Sequence, residues 1–189
     1  MITLEDWVNH WVAHFPDGLS AGDYDALPEE RRRRIEVVDG GVVTRLDPPR
    51  FHQRATRRLA NHLDGARYAV DTDVELRLRD VPLLSRRPDI AVYEAALPVD
   101  SVLRPEHCLL VVEVMSPQSI SMDQIAKPAE YAAAGIEHFW RLELLDSSPV
   151  LYRYRLGPGD RAYVLVGKDT GLVTVTDPLS LRIDLDDLY

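Results

Sequence analysis

The amino-acid sequence predicts an α/β fold of α+β character, in which a mixed β-sheet is flanked by helices. Three observations carry that prediction. Residues Cys108 to Met115 form an apolar run interrupted only by Glu113, the pattern of a strand buried on both faces. Phe51, Ala55, Leu59 and Leu63 recur at helical spacing, and a second helix-like stretch runs from Asp123 to Ala134. Beyond it, strand-like segments follow one another at short intervals.

Taken in order, Leu4 to Phe15 sets Trp7, Val8, Trp11 and Val12 at helical spacing and predicts a short amphipathic helix. Ser20, ahead of Asp23 and the Leu27-Pro28 stop, reads as the N-cap of a second short helix. Residues 1–30 are thus expected to be a helical extension packed on a main domain of residues 31–189. Arg34 to Val38 and Val42 to Leu46 flank Asp39-Gly40-Gly41, a hairpin signal. The Pro48-Pro49 break precedes the helix from Phe51 to Asp64. Val70 to Leu78 alternates Val74, Leu76 and Leu78 with Asp73, Glu75 and Arg77, as one half-buried strand does. Val81 to Ser85 reads as a turn or short extension, Ile90 to Tyr93 as a strand, and Leu109 to Met115 as a more buried strand. Gly135 ends the later helix, and Glu137 to Leu142, Val150 to Leu156 and Ala162 to Val166 follow as strands, with a hairpin turn at Gly157-Pro158-Gly159-Asp160. Leu181, Ile183 and Leu185 alternate as an edge strand or turn after Asp177-Pro178.

A chain of 189 residues and 46% hydrophobic composition suits a soluble globular protein. Its longest apolar runs are too short to cross a bilayer as helices. The amino terminus lacks the basic-then-apolar order of a secretory signal, so a cytoplasmic protein is expected. Cys108 is the single cysteine, which excludes an internal disulfide and a cysteine-rich zinc site. The 22 basic and 31 acidic residues give a net charge of -9, which opposes broad attraction to a phosphate backbone. Arg31 to Arg34, or Arg50, Arg54, Arg57 and Arg58, are candidate local basic patches, or else solvated helix surface.

The chemistry-bearing residues cluster around the apolar strands. Asp89 follows Pro88, which keeps Arg87 out of helical geometry and sets Asp89 at a strand entry. Glu113 lies within an apolar strand, where an uncompensated charge is expensive. A hard cation resolves that cost, because Mg²⁺ takes oxygen ligands and keeps several waters. Lys127, on the following helix, is placed to offset phosphate charge if the chain returns over the two carboxylates. The same residues also have a purely structural reading, with Asp89 capping a turn, Glu113 paired to a lysine or arginine, and Lys127 on the surface. Glu36 supplies a further carboxylate before the Asp39-Gly40 turn, and His52 opens the arginine-bearing helix as a phosphate contact, water-positioning group or cap. Tyr131, one turn beyond Lys127, packs or orients the site, and Ser116 has no histidine–acid arrangement to make it a nucleophile.

With Asp89, the Glu113-Val114-Met115-Ser116-Pro117 segment and the Lys127, Tyr131, Gly135 spacing, the chain resembles the bacterial putative restriction-endonuclease family of the PD-(D/E)XK nuclease superfamily. The resemblance begins near Ile35-Glu36-Val37-Val38-Asp39-Gly40, takes in His52 and its helix, and continues through Gly135 to Trp140 into the final strands. It implies a restriction-endonuclease-like mixed sheet and Mg²⁺-dependent phosphodiester hydrolysis, with Mn²⁺ as a substitute and DNA as the partner. By resemblance Asp89 and Glu113 are metal ligands, Lys127 the electrostatic or water-positioning group, Glu36 an additional acidic group and His52 a further participant. Met115 stands where the superfamily's usual acidic-x-lysine pattern has lysine, so that charge is expected from Lys127. A homodimer suits cleavage of both strands. The alternative is a catalytically inactive nucleic-acid-binding or protein-interaction module on the same scaffold.

Overall fold

Local chemistry sets many of the element ends in the computed structural model, which describes residues 15–45, 47–65, 67–115, 123–144, 148–159 and 162–189. In chain order these begin with α1 (Ala21–Asp25), α2 (Glu29–Arg32), β1 (Ile35–Val38), β2 (Gly41–Thr44), α3 (Arg50–Leu63) and β3 (Tyr68–Thr72). Then come β4 (Leu76–Asp80), β5 (Leu83–Arg86), β6 (Ile90–Glu94), β7 (Cys108–Met115) and α4 (Asp123–Ala133). The chain closes with β8 (His138–Glu143), β9 (Val150–Leu156), β10 (Tyr163–Asp169), β11 (Leu172–Val175) and β12 (Leu181–Asp184). Trp7, Trp11 and most of the helix expected around them lie outside the described residues, as does Ser116.

The chain divides into two units, Met1–Asp47 with Glu75–Arg87, and Pro48–Val74 with Pro88–Tyr189. This division differs from the boundary expected at residue 30, since α1, α2 and the first hairpin belong to the same unit.

In the first unit, Ser20 caps α1 through a reciprocal pair with Asp23: each side chain accepts the other residue's backbone N–H at 3.2 Å. The sheet order is β2-β1-β5-β4, antiparallel throughout. Asp39 and Gly40 both take positive φ, 50° and 81°, which is what the two central residues of a type I′ hairpin turn require. Leu19, Tyr24, Ile35, Val37 and Leu83 form its apolar core. Arg77 was expected on the polar face of a strand, but it is buried and ion-paired with Asp25 and Glu75. A register shift between Arg77 and Arg79 breaks the alternation on which that expectation rested.

The segment Val70 to Leu78 is not one strand but two, in different sheets. β3 ends at Thr72, Asp73 turns left-handed at φ 55°, and its N–H donates to the Asp89 carbonyl at 3.2 Å. The apolar side chains of β3 are half-buried and β4 buries Leu76, so the pattern of polarity runs across the break without marking it.

The second unit is built on a six-stranded sheet of order β10-β9-β8-β7-β6-β3. Its neighbours are antiparallel except β7 and β8, which are parallel with α4 between them in sequence, giving the mixed sheet the sequence predicts. Gly135, at φ 86°, follows α4 as a left-handed stop. Ala55, Leu59 and Leu63 of α3 share a core with Ile90, Val92, Leu110, Val112 and Val114. The β11–β12 hairpin contributes Val173, Val175, Leu181 and Ile183 to it; β11 has no counterpart among the expected strands. Tyr131, Phe139, Tyr154 and Tyr163 form a separate ring cluster, with Phe139 and Tyr163 stacked at 5.4 Å between centroids. Cys108 is half-buried and its thiol is pushed up to about 12 by burial first and Glu106 second, so it is not a nucleophile at neutral pH.

His138 is buried in β8, and burial pushes it below its ordinary value of 6.5 against the opposing pull of Asp177 and Glu137. The folded state therefore binds this proton less readily than the unfolded chain. The resulting stability is present above the ordinary histidine range and lost as pH falls through it. The contribution of His138 to the urea midpoint is expected to fall between about pH 7.5 and pH 5, opposed there by His52, whose raised pKa favours the folded state at the acid end. His138→Gln should flatten that part of the profile, and an unchanged slope in the variant would assign the titration elsewhere.

Candidate active site

The register of β6 and β7 places Ile90 opposite Val112, so Asp89 and Glu113 lie one step further along at the same end of the pair. Across the parallel β7–β8 pair, Glu113 stands beside Arg141. The apolar strands supply a rigid base, and the charged side chains come where those strands run out.

Asp89 is anchored by the backbone of β7. Its Oδ2 accepts the Val114 N–H at 2.7 Å and lies 3.3 Å from His52 Nε2. His52, on the inward face of α3, also reaches the Val114 carbonyl at 2.8 Å, a contact that puts a proton on Nε2. Burial opposes charge on this imidazole, yet the hydrogen bond and charge of Asp89, then the Val114 carbonyl and Glu113, leave its pKa raised. His52 therefore ties α3, Asp89 and β7 together. Gln53 instead donates to the Pro48 carbonyl at 2.8 Å, just before α3 begins.

Glu113 is held from α4. The Tyr131 hydroxyl donates to its Oε1 at 2.7 Å, and Lys127 Nζ lies 3.4 Å from the same oxygen. These residues are four apart, so one face of α4 delivers both. Pro128 lies inside that helix and has no N–H to give the carbonyl four residues back. A cavity of about 20 Å³ is lined by Glu113, Val114, Met115, Lys127, Phe139 and Arg141. That is room for about one water molecule.

The donor set suits a hard cation. Among the described residues no three His, Cys, Asp or Glu side chains gather as a metal cage. Two half-buried carboxylates with solvent beside them match the way Mg²⁺ is held, by one or two carboxylates, retained waters and substrate phosphate. Asp89 Oδ1 accepts no hydrogen bond among the described residues.

Glu36 belongs to the first unit. It is buried in β1, its carboxylate accepts Arg86 at 2.9 Å and the Arg87 N–H at 3.0 Å, and Arg45 lies 3.9 Å away. These contacts give it a structural employment of its own. Arg141 is the residue that sequence reasoning missed. Its guanidinium lies 4.6 Å from the Tyr152 ring centroid, and its Nε is 3.0 Å from Glu143 without the N–H pointing at that oxygen. Its signal was a lone charge in the apolar run Phe139-Trp140-Arg141-Leu142.

A family model, Uma2, described as a putative restriction endonuclease, matches residues 21–186. The chain belongs to that family. Family membership supports a nuclease function. A crystal structure of a putative nuclease belonging to DUF820 from Anabaena variabilis ATCC 29413 superposes with a TM-score of 0.66 at 16% identity, covering 90% of this chain and 97% of that one. At that identity the likeness shows the fold alone, a mixed α+β architecture, as the sequence predicted. No curated protein matches the chain. Among the described residues of this Uma2 member, no helix is long and apolar enough to cross a membrane.

Proposed function

We propose that the chain is a DNA endonuclease that hydrolyses phosphodiester bonds with Mg²⁺, for which Mn²⁺ can substitute. The observation that carries this reading is the meeting of Glu113 with Lys127 and Tyr131 at the strand end where Asp89 grips Val114. Asp89 and Glu113 would hold the cation, which when bound polarises the phosphate and lowers the pKa of water.

The chain's own residues do the rest by position and charge. Tyr131 fixes the rotamer of Glu113, and His52 steadies Asp89 and the end of β7. As the water oxygen bonds to phosphorus, the bond from phosphorus to the departing sugar oxygen breaks. The attacking water gives up one proton and the departing oxygen gains one, so one water is consumed per bond cleaved. Negative charge grows on the phosphate oxygens in between, and the Lys127 ammonium and the Arg141 guanidinium, both lining the cavity, offset it.

Lys127→Ala is expected to lower kcat on the order of 10²-fold with little change in KM, because the charge matters most in the transition state. Arg141→Ala should lower it by a smaller factor, and wild-type turnover in both variants would move the catalytic charge elsewhere. Two-strand cleavage from one such site per chain calls for a pair of chains, so the reading includes a homodimer, checked by molar mass in solution. The deciding assay incubates supercoiled, linear and single-stranded DNA with the protein in Mg²⁺ or Mn²⁺. Metal-dependent product supports the nuclease, whereas DNA binding without product supports the inactive binding module.

A further inference from the structure

We infer that the outward face of α3 is a phosphate-binding track that seats the backbone of duplex DNA flanking the scissile bond. The inference deepens the nuclease reading and rests on it for the identity of the polyanion. In a chain with 31 acidic residues against 22 basic ones, α3 carries four arginines and no carboxylate. Arg50, Arg54 and Arg57 fall at i, i+4 and i+7, so they form one stripe, all exposed. With Gln53 they line a shallow depression of about 340 Å³.

The other basic run behaves differently. Arg32, Arg33 and Arg34 are each within ion-pair distance of a glutamate: Glu75, Glu29 and Glu30 respectively. Arg58, the fourth arginine of α3, is spent on the main-chain oxygens of Asp187 and Tyr189. Arg50, Arg54 and Arg57 make no ion pair or hydrogen bond among the described residues. Three guanidinium groups held on a rigid helix without a counter-charge are matched by a row of phosphates.

The dimensions agree. Seven residues of helix rise about 10 Å, and successive phosphates on one strand advance about 3.4 Å along the duplex axis. The stripe thus spans about three phosphate steps. Arg50 and Gln53 share the first turn of α3 with His52, whose ring reaches Asp89 on the opposite face. The track begins at the level of the candidate site and leads away along the helix, as a contact to flanking rather than scissile phosphate would. Such contacts position a duplex and carry no sequence information.

The test measures binding of the whole chain to a fluorescent DNA duplex by anisotropy, in Ca²⁺, across a salt series. The triple variant Arg50→Ala, Arg54→Ala, Arg57→Ala is compared with the wild type. A charge-matched variant, Arg31→Ala, Arg33→Ala, Arg34→Ala, serves as control. The first triple variant should bind about tenfold or more weakly on every sequence, with the slope of log K against log salt reduced by roughly 3. The control should keep the wild-type slope. The track is refuted by a wild-type slope in the first variant, by equal loss in the control, by absence of wild-type binding, or by tighter binding of an RNA duplex of the same length. The nuclease reading fails separately: a wild type that binds through the stripe yet yields no product in Mg²⁺ or Mn²⁺ keeps the track and loses the enzyme.

Discussion

Asp89→Asn and Glu113→Gln each abolish metal-dependent cleavage while leaving the chain folded; that is the first result expected. Asp89→Asn removes the charge but keeps an oxygen for the Val114 N–H, and Glu113→Gln keeps an acceptor for the Tyr131 hydroxyl. Each strips a hard anionic ligand from a two-carboxylate donor set, so turnover should fall at least on the order of 10²–10³-fold. Conversion of supercoiled DNA measures the loss, and a urea midpoint close to wild type shows that the fold survives. Asp89→Ala is a harsher control, because it also leaves the half-buried Val114 N–H without its acceptor, at a cost of about 1–3 kcal/mol. Undiminished turnover in a folded Asp89→Asn or Glu113→Gln protein would remove that carboxylate from the mechanism.

Glu36→Ala should act on stability. Glu36 is 3% exposed and its partner Arg86 only 1%, so truncation takes a carboxylate partner at 2.9 Å from a buried guanidinium. Breaking a buried pair from one side costs about 3–5 kcal/mol, a large share of the 5–15 kcal/mol that holds a typical domain together. The Arg87 N–H loses its acceptor at the same time. Urea unfolding should show the loss, and the double variant Glu36→Ala, Arg86→Met should recover much of it by replacing the buried charge with an apolar side chain. Activity per folded molecule separates the two readings of this residue. If turnover collapses while the midpoint holds, Glu36 belongs to the chemistry after all.

Where signals were short-range, the elements were legible. The Asp39-Gly40 hairpin, the Ser20 cap, the Gly135 stop and the helical spacing of Phe51, Ala55, Leu59 and Leu63 involve residues within a few positions of one another. Their geometry follows from backbone sterics and from the 3.6-residue period. The break at Asp73 was not legible, because a left-handed aspartate leaves no mark on the pattern of polarity. Nor was the burial of Arg77, which depends on Asp25, 52 residues away. The resemblance named Asp89, Glu113 and Lys127 together, whereas the roles of Tyr131 and Arg141 came from packing: the first through a hydroxyl on Glu113, the second through the β7–β8 register.

The sequence by itself determined the short-range elements (the caps, turns and periodic helices), the mixed sheet and the residue types available for chemistry at the ends of two apolar strands. Only the tertiary structure decided which charges meet. It brought Lys127 to Glu113 and His52 to Asp89, gave Glu36 to Arg86, and left the outer arginines of α3 without carboxylates among the described residues. The physical reason is range: periodicity and turn preference act over a few residues, whereas ion pairing and desolvation depend on distances that no spacing along the chain encodes.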